Sequence, residues 1–346
     1  MQEHGIYMER CIQLALKGLG NVAPNPMVGC VIVSRGKIIG EGYHEYYGGP
    51  HAEVNAIHSA ENKELLKDSV LYVSLEPCNH HGKTPPCSDL IIKYKIPEVV
   101  IGCTDSFEKV AGKGIEKLKN AGIKVTTGVL ENECRKLNKR FFTFHEKKRP
   151  YIILKWAQTE DGFISKFPED IKSKSDNWIT GEESKILAHQ LRASEQAILI
   201  GTNTVKIDNP ELTTRLATGK NPLRIIIDKN LILPENLNVF DKSTPTLVIN
   251  HFKNEMHQNL EYIKTDWKNV AEEIITVLYK KGITSLIVEG GSKTLNAFIS
   301  ANIWDEAMVF TGNKKFEKGI KAPSVKGEKH KTIQCGKDWL DFIMKE

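Results

Sequence analysis

The sequence predicts an α/β protein made of two consecutive domains. Apolar runs of strand length alternate with amphipathic helical segments through most of the chain, a pattern typical of sheets covered by helices. At 346 residues the chain is longer than most single domains. Arg149-Pro150 ends a basic stretch and precedes a new apolar run, so we expect domains at 1–147 and 148–346.

Hydrophobic periodicity places the elements of the first half. The period of the apolar residues separates strands from helices, and turn residues separate one element from the next. Two strands around Ser34-Arg35-Gly36 are expected to form a hairpin. The predicted helices are 6–19, one starting near 51, 88–94 and 114–120; the predicted strands are 30–33, 37–40, 70–75, 99–102 and 123–125.

The second half shows the same alternation. Thr180, with Glu183 three residues later, has the pattern of a capping box that starts a helix running to Arg192. The stretch 310–331 is rich in Lys and Gly and gives no clear element. The predicted strands are 151–157, 197–201, 223–227, 246–250 and 285–288, and a last helix is predicted at 294–299.

Composition narrows the classes of protein that fit. The hydrophobic content of 40% is that of a globular protein, and the formal charge of +5 marks no basic face, so a nucleic-acid partner is not required. The seven cysteines are scattered, unlike a disulfide framework. No stretch is long and apolar enough for a membrane span or a signal sequence, so we expect a cytoplasmic protein without a membrane partner.

Four residues between positions 51 and 87 have the chemistry of a catalytic zinc site. His51, Cys78 and Cys87 offer one imidazole and two thiolates, which leaves the fourth tetrahedral position of Zn2+ for water. Bound zinc lowers the pKa of that water to near 7. Glu53, two residues beyond His51, is then placed to carry protons without binding the metal.

Two less specific interpretations of these residues remain open. The thiols and the imidazole could be ordinary core side chains, or they could belong to a structural zinc site completed by His80 or His81. A structural site has no use for a proton carrier, so the presence of Glu53 favours the catalytic interpretation.

The pattern His-x-Glu, then Pro-Cys and a second Cys, resembles the signature of the zinc nucleobase deaminases. Here eight residues, 79–86, separate the cysteines. With that insert and the motif Asn25-Pro26-Met27-Val28-Gly29, the sequence resembles the bifunctional deaminase/reductase family of bacterial riboflavin biosynthesis. The resemblance implies a cytidine-deaminase-like three-layer domain, and it implies pyrimidine contacts from Asn25, His44, Lys83 and Thr84.

Residues 150 to 300 resemble the reductase half of the same family, which implies a dihydrofolate-reductase-like α/β domain that uses NADPH. Neither a Gly-x-Gly-x-x-Gly motif nor a nucleotide-triphosphate P-loop is present. The resemblance implies substrate contacts from Lys155, Asp176, Arg192, Leu212, Arg215 and Glu289, although Asp176 stands where the family commonly has Ser. The implied cofactor contacts are Gln158, Trp178, Thr204, Asp208, Gly291, Ser292, Lys293, Thr294, Leu295, Asn296 and Ala297.

The expected function is therefore two reactions on one phosphoribosyl pyrimidine, a zinc-dependent deamination and an NADPH-dependent reduction, in a chain expected to form a homo-oligomer. One alternative is a tRNA or nucleobase deaminase with a C-terminal binding module, which the basic run at 135–149 would favour. The second half lacks the interleaved aromatic and basic residues that such a module needs. Another alternative is a regulatory protein with a decayed site, against which Glu53 argues.

Overall fold

The chain forms two compact units, Met1–Lys148 and Arg149–Glu346. A computed structural model describes residues 2–79, 85–106 and 111–346. Within these ranges, no helix combines the length and the apolar character that crossing a bilayer requires.

The first unit is built on a five-stranded sheet in the order β2-β1-β3-β4-β5. Strand β1 pairs antiparallel with β2 and β3, whereas β3, β4 and β5 are parallel. The strands are β1 Gly29–Ser34, β2 Lys37–Tyr43, β3 Ser69–Leu75, β4 Glu98–Cys103 and β5 Lys124–Thr127. The helices are α1 Gln2–Leu16, α2 Ala52–Ser59, α3 Cys87–Lys93, α4 Lys113–Asn120, α5 Glu131–Leu137 and α6 Lys139–Lys147.

Helices cover both faces of this sheet, because strand β1 carries apolar side chains on both of its faces. Cys30 and Ile32 point into a core that includes Ile57 of α2 and Leu118 of α4. The intervening Val31 and Val33 point into a second core on the opposite face, formed with α1 and α6. Since neighbouring strand residues point to opposite faces, a strand buried on both sides reads as a continuous apolar run. The three-layer arrangement expected from the sequence is confirmed.

The second unit contains a ten-stranded sheet in the order β11-β12-β10-β9-β8-β13-β6-β14-β17-β16. A separate two-stranded sheet pairs β7 with β15. The strands are β6 Tyr151–Thr159, β7 Phe163–Ser165, β8 Ala197–Gly201, β9 Leu223–Ile227, β10 Thr246–Asn250, β11 Glu255–His257, β12 Leu260–Lys264, β13 Ser285–Glu289, β14 Glu306–Gly312, β15 Ile320–Lys321, β16 Glu328–Cys335 and β17 Asp338–Met344. The helices are α7 Glu182–Ser194, α8 Thr202–Asp208, α9 Val270–Lys280 and α10 Ser292–Ser300.

The central strands of this large sheet, from β12 to β14, are all parallel. Their carboxyl ends therefore meet at one edge, where ligands of α/β sheets usually bind. Lys155 pairs directly with Glu289 across β6 and β13, which brings two of the predicted site residues together. The side chain of Phe298, in α10, is fully buried in a core that includes residues of β6, β13 and α9.

The C-terminal hairpin of β16 and β17 was not predicted from the sequence. Strand β16 lies at the edge of the sheet, and its residues 328–334 are nearly all exposed. An edge strand rich in charged residues is protected from pairing with other chains, but it lacks the apolar alternation that reveals a strand.

The predicted capping box at Thr180 is wrong. The N-cap of α7 is Gly181, a residue without a side chain that could cap the helix. The helix start is held instead by Asp338 of β17, whose carboxylate accepts the Gly181 N–H and the Ser184 hydroxyl, each at 2.6 Å. An acceptor more than 150 residues away replaces the local one, which a local sequence motif does not indicate.

We expect Phe298→Ala to destabilise the second unit by about 3–5 kcal/mol, because it leaves a cavity in the core around α10. All five tryptophans lie between 156 and 339, so their fluorescence during urea unfolding follows this unit alone. Phe252→Ala is the matched control, since Phe252 is 59% exposed and its loss should change the stability by less than about 0.5 kcal/mol. Equal effects of the two variants would contradict the assignment of the core.

Candidate metal centre and reductase site

The three predicted zinc ligands lie together in the first unit. The ligand atoms of His51, Cys78 and Cys87 are all within 4.8 Å of one another. The Nδ1 atom of His51 faces both thiols, at 3.5 Å from Cys78 Sγ and 3.3 Å from Cys87 Sγ. Zinc bonds of ordinary length in a tetrahedral site would separate N and S ligands by about 3.5 Å. The donor set and its spacing therefore fit zinc.

The two thiols differ in acidity. The pKa of the Cys78 thiol is well below its usual range, because the Cys87 thiol and the imidazole of His51 stabilise its thiolate. The backbone N–H of Cys87, at the start of α3, also donates to Cys78 Sγ at 3.3 Å. A thiolate is the form that binds a metal, so these hydrogen bonds prepare Cys78 as a ligand.

Glu53 lies in the first turn of α2, two residues after His51, which is the N-cap of that helix. Its side chain is buried, and burial raises the pKa of the Glu53 carboxyl to about 7. A carboxyl with a pKa near neutrality can both accept and release a proton during a reaction.

Asn25 and His44 form a hydrogen-bonded pair next to this centre. His44 Nδ1 lies 2.9 Å from the carbonyl oxygen of Pro50 and therefore carries the proton, so that Nε2 accepts from Asn25 Nδ2 at 3.1 Å. Burial lowers the pKa of His44, which keeps the ring neutral. The His44 ring meets the His51 ring edge to face, with 5.4 Å between centroids.

Sequence reasoning gave no role to Glu76, which precedes Pro77 and Cys78. Its buried carboxylate accepts backbone N–H groups of the segment that leads into α4. The donors are Asp105, Gly112, Gly114 and Ile115, at 3.0–3.2 Å. An acidic residue at the end of a predicted apolar strand, two residues before a predicted metal ligand, was the signal in the sequence. Lys83 and Thr84, predicted to contact the pyrimidine, and His80 and His81 lie outside the described residues.

In the second unit, Lys155, Arg192 and Glu289 form a compact group of charges at the carboxyl edge of the sheet. Lys155 Nζ lies 2.9 Å from Glu289, and the Arg192 guanidinium lies 3.0 Å from both carboxylate oxygens. Burial by itself would raise the pKa of Glu289, but the charges of Arg192 and Lys155 outweigh it and lower the pKa to about 2. The carboxylate is therefore ionised at neutral pH.

Arg192 also links this group to the loop that follows α8. Its Nη1 donates to the carbonyl oxygen of Thr213 at 3.4 Å. The preceding residue, Leu212, is buried with a φ of +56°, a left-handed conformation that is unfavourable for leucine. Such strain is often found where backbone direction serves a site. Arg215, half exposed, is paired with Glu211 at 3.3 Å.

Two strand-to-helix turns face each other at the same edge. A Cβ added to Gly201, at the end of β8, would lie 2.5 Å from Thr294 Oγ1 of α10, so any larger residue would displace the Thr294 hydroxyl. In return, Thr204 of α8 accepts the backbone N–H of Gly291 at 3.2 Å. The N-termini of α8 and α10 thus lie side by side, and helix N-termini favour anions.

The other predicted cofactor and substrate residues of this unit have local contacts. Gln158 accepts from the indole of Trp156, and Asp176 closes a turn by accepting the N–H groups of Lys172 and Ser173. Trp178 is exposed, with Lys185 above its ring. In α10, Ser292 accepts from Asn296, Lys293 is exposed, Ala297 is half-buried, and Leu295 is fully buried in the core. Asp208 is the last residue of α8.

Comparison with known proteins finds a different family in each half of the chain. Residues 1–103 match the cytidine and deoxycytidylate deaminase zinc-binding region, and residues 150–325 match the RibD C-terminal domain. The riboflavin biosynthesis protein RibD of Aquifex aeolicus is 41% identical, with 97% of each chain covered. RibD of Bacillus amyloliquefaciens is also 41% identical, over 88% of this chain and 83% of the relative.

A solved structure from Thermotoga maritima superposes on the whole chain with a TM-score of 0.90 at 39% identity, and 99% of that chain is covered. That protein is described as a diaminohydroxyphosphoribosylaminopyrimidine deaminase/5-amino-6-(5-phosphoribosylamino)uracil reductase. RibD of Acinetobacter baumannii gives a TM-score of 0.88 at 28% identity, over 100% of this chain and 99% of that chain.

Fold and site together define a chain that joins a zinc-binding deaminase domain to a reductase domain, which implies zinc and a nicotinamide cofactor. The chain belongs to the RibD family of bifunctional deaminase/reductase enzymes of riboflavin biosynthesis. The expectation of a cytidine-deaminase-like domain followed by a reductase domain is confirmed. The nucleic-acid alternative is not supported, because the second half matches a reductase domain in place of a binding module.

Glu289→Gln should change the acid response of the second unit. A carboxyl whose pKa falls from 4.5 to about 2 on folding adds stability on the order of 3 kcal/mol above pH 4.5, and this is lost as the pH drops towards 2. We therefore expect the urea midpoints of wild type and Glu289→Gln, followed by tryptophan fluorescence, to differ most above pH 4.5 and to converge near pH 2. Glu235→Gln, at an exposed position, is the control. A difference that is constant with pH would contradict the ion-pair assignment.

Proposed function

We propose that the chain carries out two successive reactions on one pyrimidine. The first is hydrolytic deamination of 2,5-diamino-6-(5-phosphoribosylamino)pyrimidin-4(3H)-one, and the second is NADPH-dependent reduction of its ribosyl group to ribityl. The observation that carries the proposal is the meeting of His51, Cys78 and Cys87 beside buried Glu53. The activities described for the Thermotoga maritima relative support both steps.

In the deaminase site, His51 Nδ1 and the two thiolates would hold zinc and leave one tetrahedral position open. Zinc, when bound there, makes water nucleophilic near neutral pH. Glu53 would carry one proton of the attacking water to the ring nitrogen beside the attacked carbon and the second to the amine, which leaves as ammonia. Its pKa of about 7 suits both halves of that transfer.

Asn25 and His44 are the proposed readers of the pyrimidine. The hydrogen bond from Asn25 to His44 fixes the amide, with Nδ2 towards the imidazole and Oδ1 as an acceptor on the other side. A neutral, oriented pair can recognise a base edge without competing for the metal. Lys83 and Thr84 remain proposed substrate contacts on the basis of the sequence.

In the reductase site, Lys155 and Arg192 are the proposed contacts of the phosphoribosyl group, and Glu289 orients both. The fork of Arg192 suits a phosphate or neighbouring hydroxyls. Leu212 and Arg215 would contact the same substrate through the loop that Arg192 reaches. Asp176 is kept as a proposed contact, although its carboxylate is used within its own turn.

NADPH is the proposed hydride donor, and the hydride chemistry belongs to the cofactor. The adjoining N-termini of α8 and α10 would receive its phosphates, through Thr204 and residues 291–297. Leu295 can take part only through its backbone, since its side chain lies in the core. Gln158, Trp178 and Asp208 would line the remainder, and Asp208 is a candidate for proton assistance.

The domain assignment and the setting of the chain are also proposals. We assign the deaminase to 1–147 and the reductase to 148–346, and the division into two compact units near residue 148 supports this. A cytoplasmic location is supported by seven cysteines that are all unbridged. Assembly into a homo-oligomer stays a prediction.

Mass spectrometry of the products tests both activities in one experiment. With the diaminopyrimidine phosphate alone, the substrate mass should rise by about 1 Da as an amine is replaced by oxygen. Adding NADPH should raise it by about 2 Da more, through one hydride and one proton. The first shift alone would refute the reductase function of this chain, and no shift would refute the whole proposal.

Glu53→Gln should abolish ammonia release while the zinc content stays at the wild-type level, because an amide cannot carry the proton and does not bind the metal. Ammonia assays and elemental analysis of the purified variant measure the two quantities. Glu64→Gln, at an exposed position in the same unit, should change neither. Loss of zinc from the Glu53 variant would show that this residue is a ligand.

A further inference from the structure

The loop that carries Asn25 is held by a residue more than 110 positions away. Asn138 accepts the backbone N–H of Met27 through Oδ1 at 2.8 Å and donates through Nδ2 to the Met27 carbonyl oxygen at 2.9 Å. Both polar groups of one peptide residue are thus satisfied by one side-chain amide. Asn138 is 2% exposed, so water does not compete for these bonds.

Asn138 stands at a helix start, but its side chain does not cap that helix. It joins α5 to α6 and is the N-cap of α6, where asparagine commonly caps its own helix. Here no such cap is formed. The side chain is directed to Met27 instead, while only the backbone of Asn138 serves the two helices.

The same loop is also held at Val22, on the N-terminal side of Asn25. Met27, Val22, Ala15 and Leu137 share one buried cluster, and the Asn25 backbone N–H donates to the Val22 carbonyl oxygen at 2.9 Å. Asn25 therefore lies between two anchored residues. Of these anchors, the paired hydrogen bonds to Met27 are the ones that fix the direction of the backbone.

We infer that Asn138 is a positioning residue of the deaminase, which fixes the loop 22–28 so that the Asn25 amide stays aligned with His44 and with the pyrimidine. This inference rests on the function proposed above. The match to the general zinc-binding region ends at residue 103, so α5 and α6 lie beyond it. The helical extension thereby supports the substrate site through the loop, although it supplies neither a metal ligand nor a proton carrier.

The contact needs one donor and one acceptor on the same side chain, which the asparagine amide supplies. Aspartate keeps the acceptor for the Met27 N–H, but it sets a second oxygen against the Met27 carbonyl. Alanine leaves both backbone groups buried without a partner. The aspartate variant thus loses one of the two hydrogen bonds to Met27, and the alanine variant loses both.

Hydrogen exchange measures the anchor directly and does not depend on activity. In Asn138→Ala, the amide of Met27 and the peptide covering 21–29 should exchange faster than in the wild-type chain, and Asn138→Asp should lie between the two. Asn62→Ala is the matched control, since Asn62 also accepts a backbone N–H, at 3.0 Å, but in the short 3-10 turn before β3. Unchanged exchange at Met27 would overturn the anchor.

Kinetics test the function of the anchor. Asn138→Ala should raise the deaminase KM about tenfold, the effect expected for a lost hydrogen-bond contact, with little change in kcat and with full zinc content. The NADPH-dependent reduction of deaminated substrate by the same preparation should stay at the wild-type rate. In a chain that already carries Asn25→Ala, adding Asn138→Ala should raise KM no further.

Two results would overturn the positioning role: faster exchange at Met27 with an unchanged KM, or an undiminished effect of Asn138→Ala in the Asn25→Ala chain. A merely structural role would lower zinc content or kcat as well. A wild-type chain that releases no ammonia would refute the proposed function, and with it the positioning role, while the exchange data would still decide whether the anchor exists.

Discussion

The close packing of helix α2 on strand β2 is the constraint on which the deaminase centre depends. A Cβ at Gly42 would lie 2.3 Å from the backbone nitrogen of Ala56, so the helix can approach the strand only over glycine. Asn55 secures the contact by donating to the Tyr43 carbonyl oxygen at 2.8 Å. Because His51 and Glu53 are at the first turn of this helix, its distance from the sheet sets where the imidazole meets the two thiols.

Two glutamates show how the chain uses one side chain for opposite purposes. Both Glu53 and Glu289 are removed from most solvent, which by itself favours the neutral acid. Glu289 has two cations in contact, and its pKa falls to about 2. For Glu53 the burial outweighs the opposing effect of His51, and its pKa rises to about 7. The first is a fixed charge that orients its partners, and the second is suited to exchange protons.

Local patterns in the sequence predicted strands β1 to β6, β8 to β10 and β13 and the candidate metal ligands, but they gave no prediction for α8, α9 or β14. The candidate ligands His51, Cys78 and Cys87 were predicted because metal binding restricts residue type more strongly than position. The supporting contacts were not found. Asp338 at the start of α7 and Asn138 at Met27 act across more than 100 residues, and each is an ordinary polar residue in its own segment. The exposed strand β16 was not predicted because its residues are mostly polar and do not alternate with apolar ones.

The pairing of Lys155 and Arg192 with Glu289 has a consequence for ionic selectivity. Two cations and one carboxylate leave a net charge of +1, so an approaching anion meets about half the attraction that the two cations alone would exert. Long-range attraction by these three side chains is correspondingly weak and readily screened by salt. Discrimination among anions then depends on whether their oxygens match the directions of the N–H donors, which favours a shaped, multi-dentate ligand over simple inorganic ions.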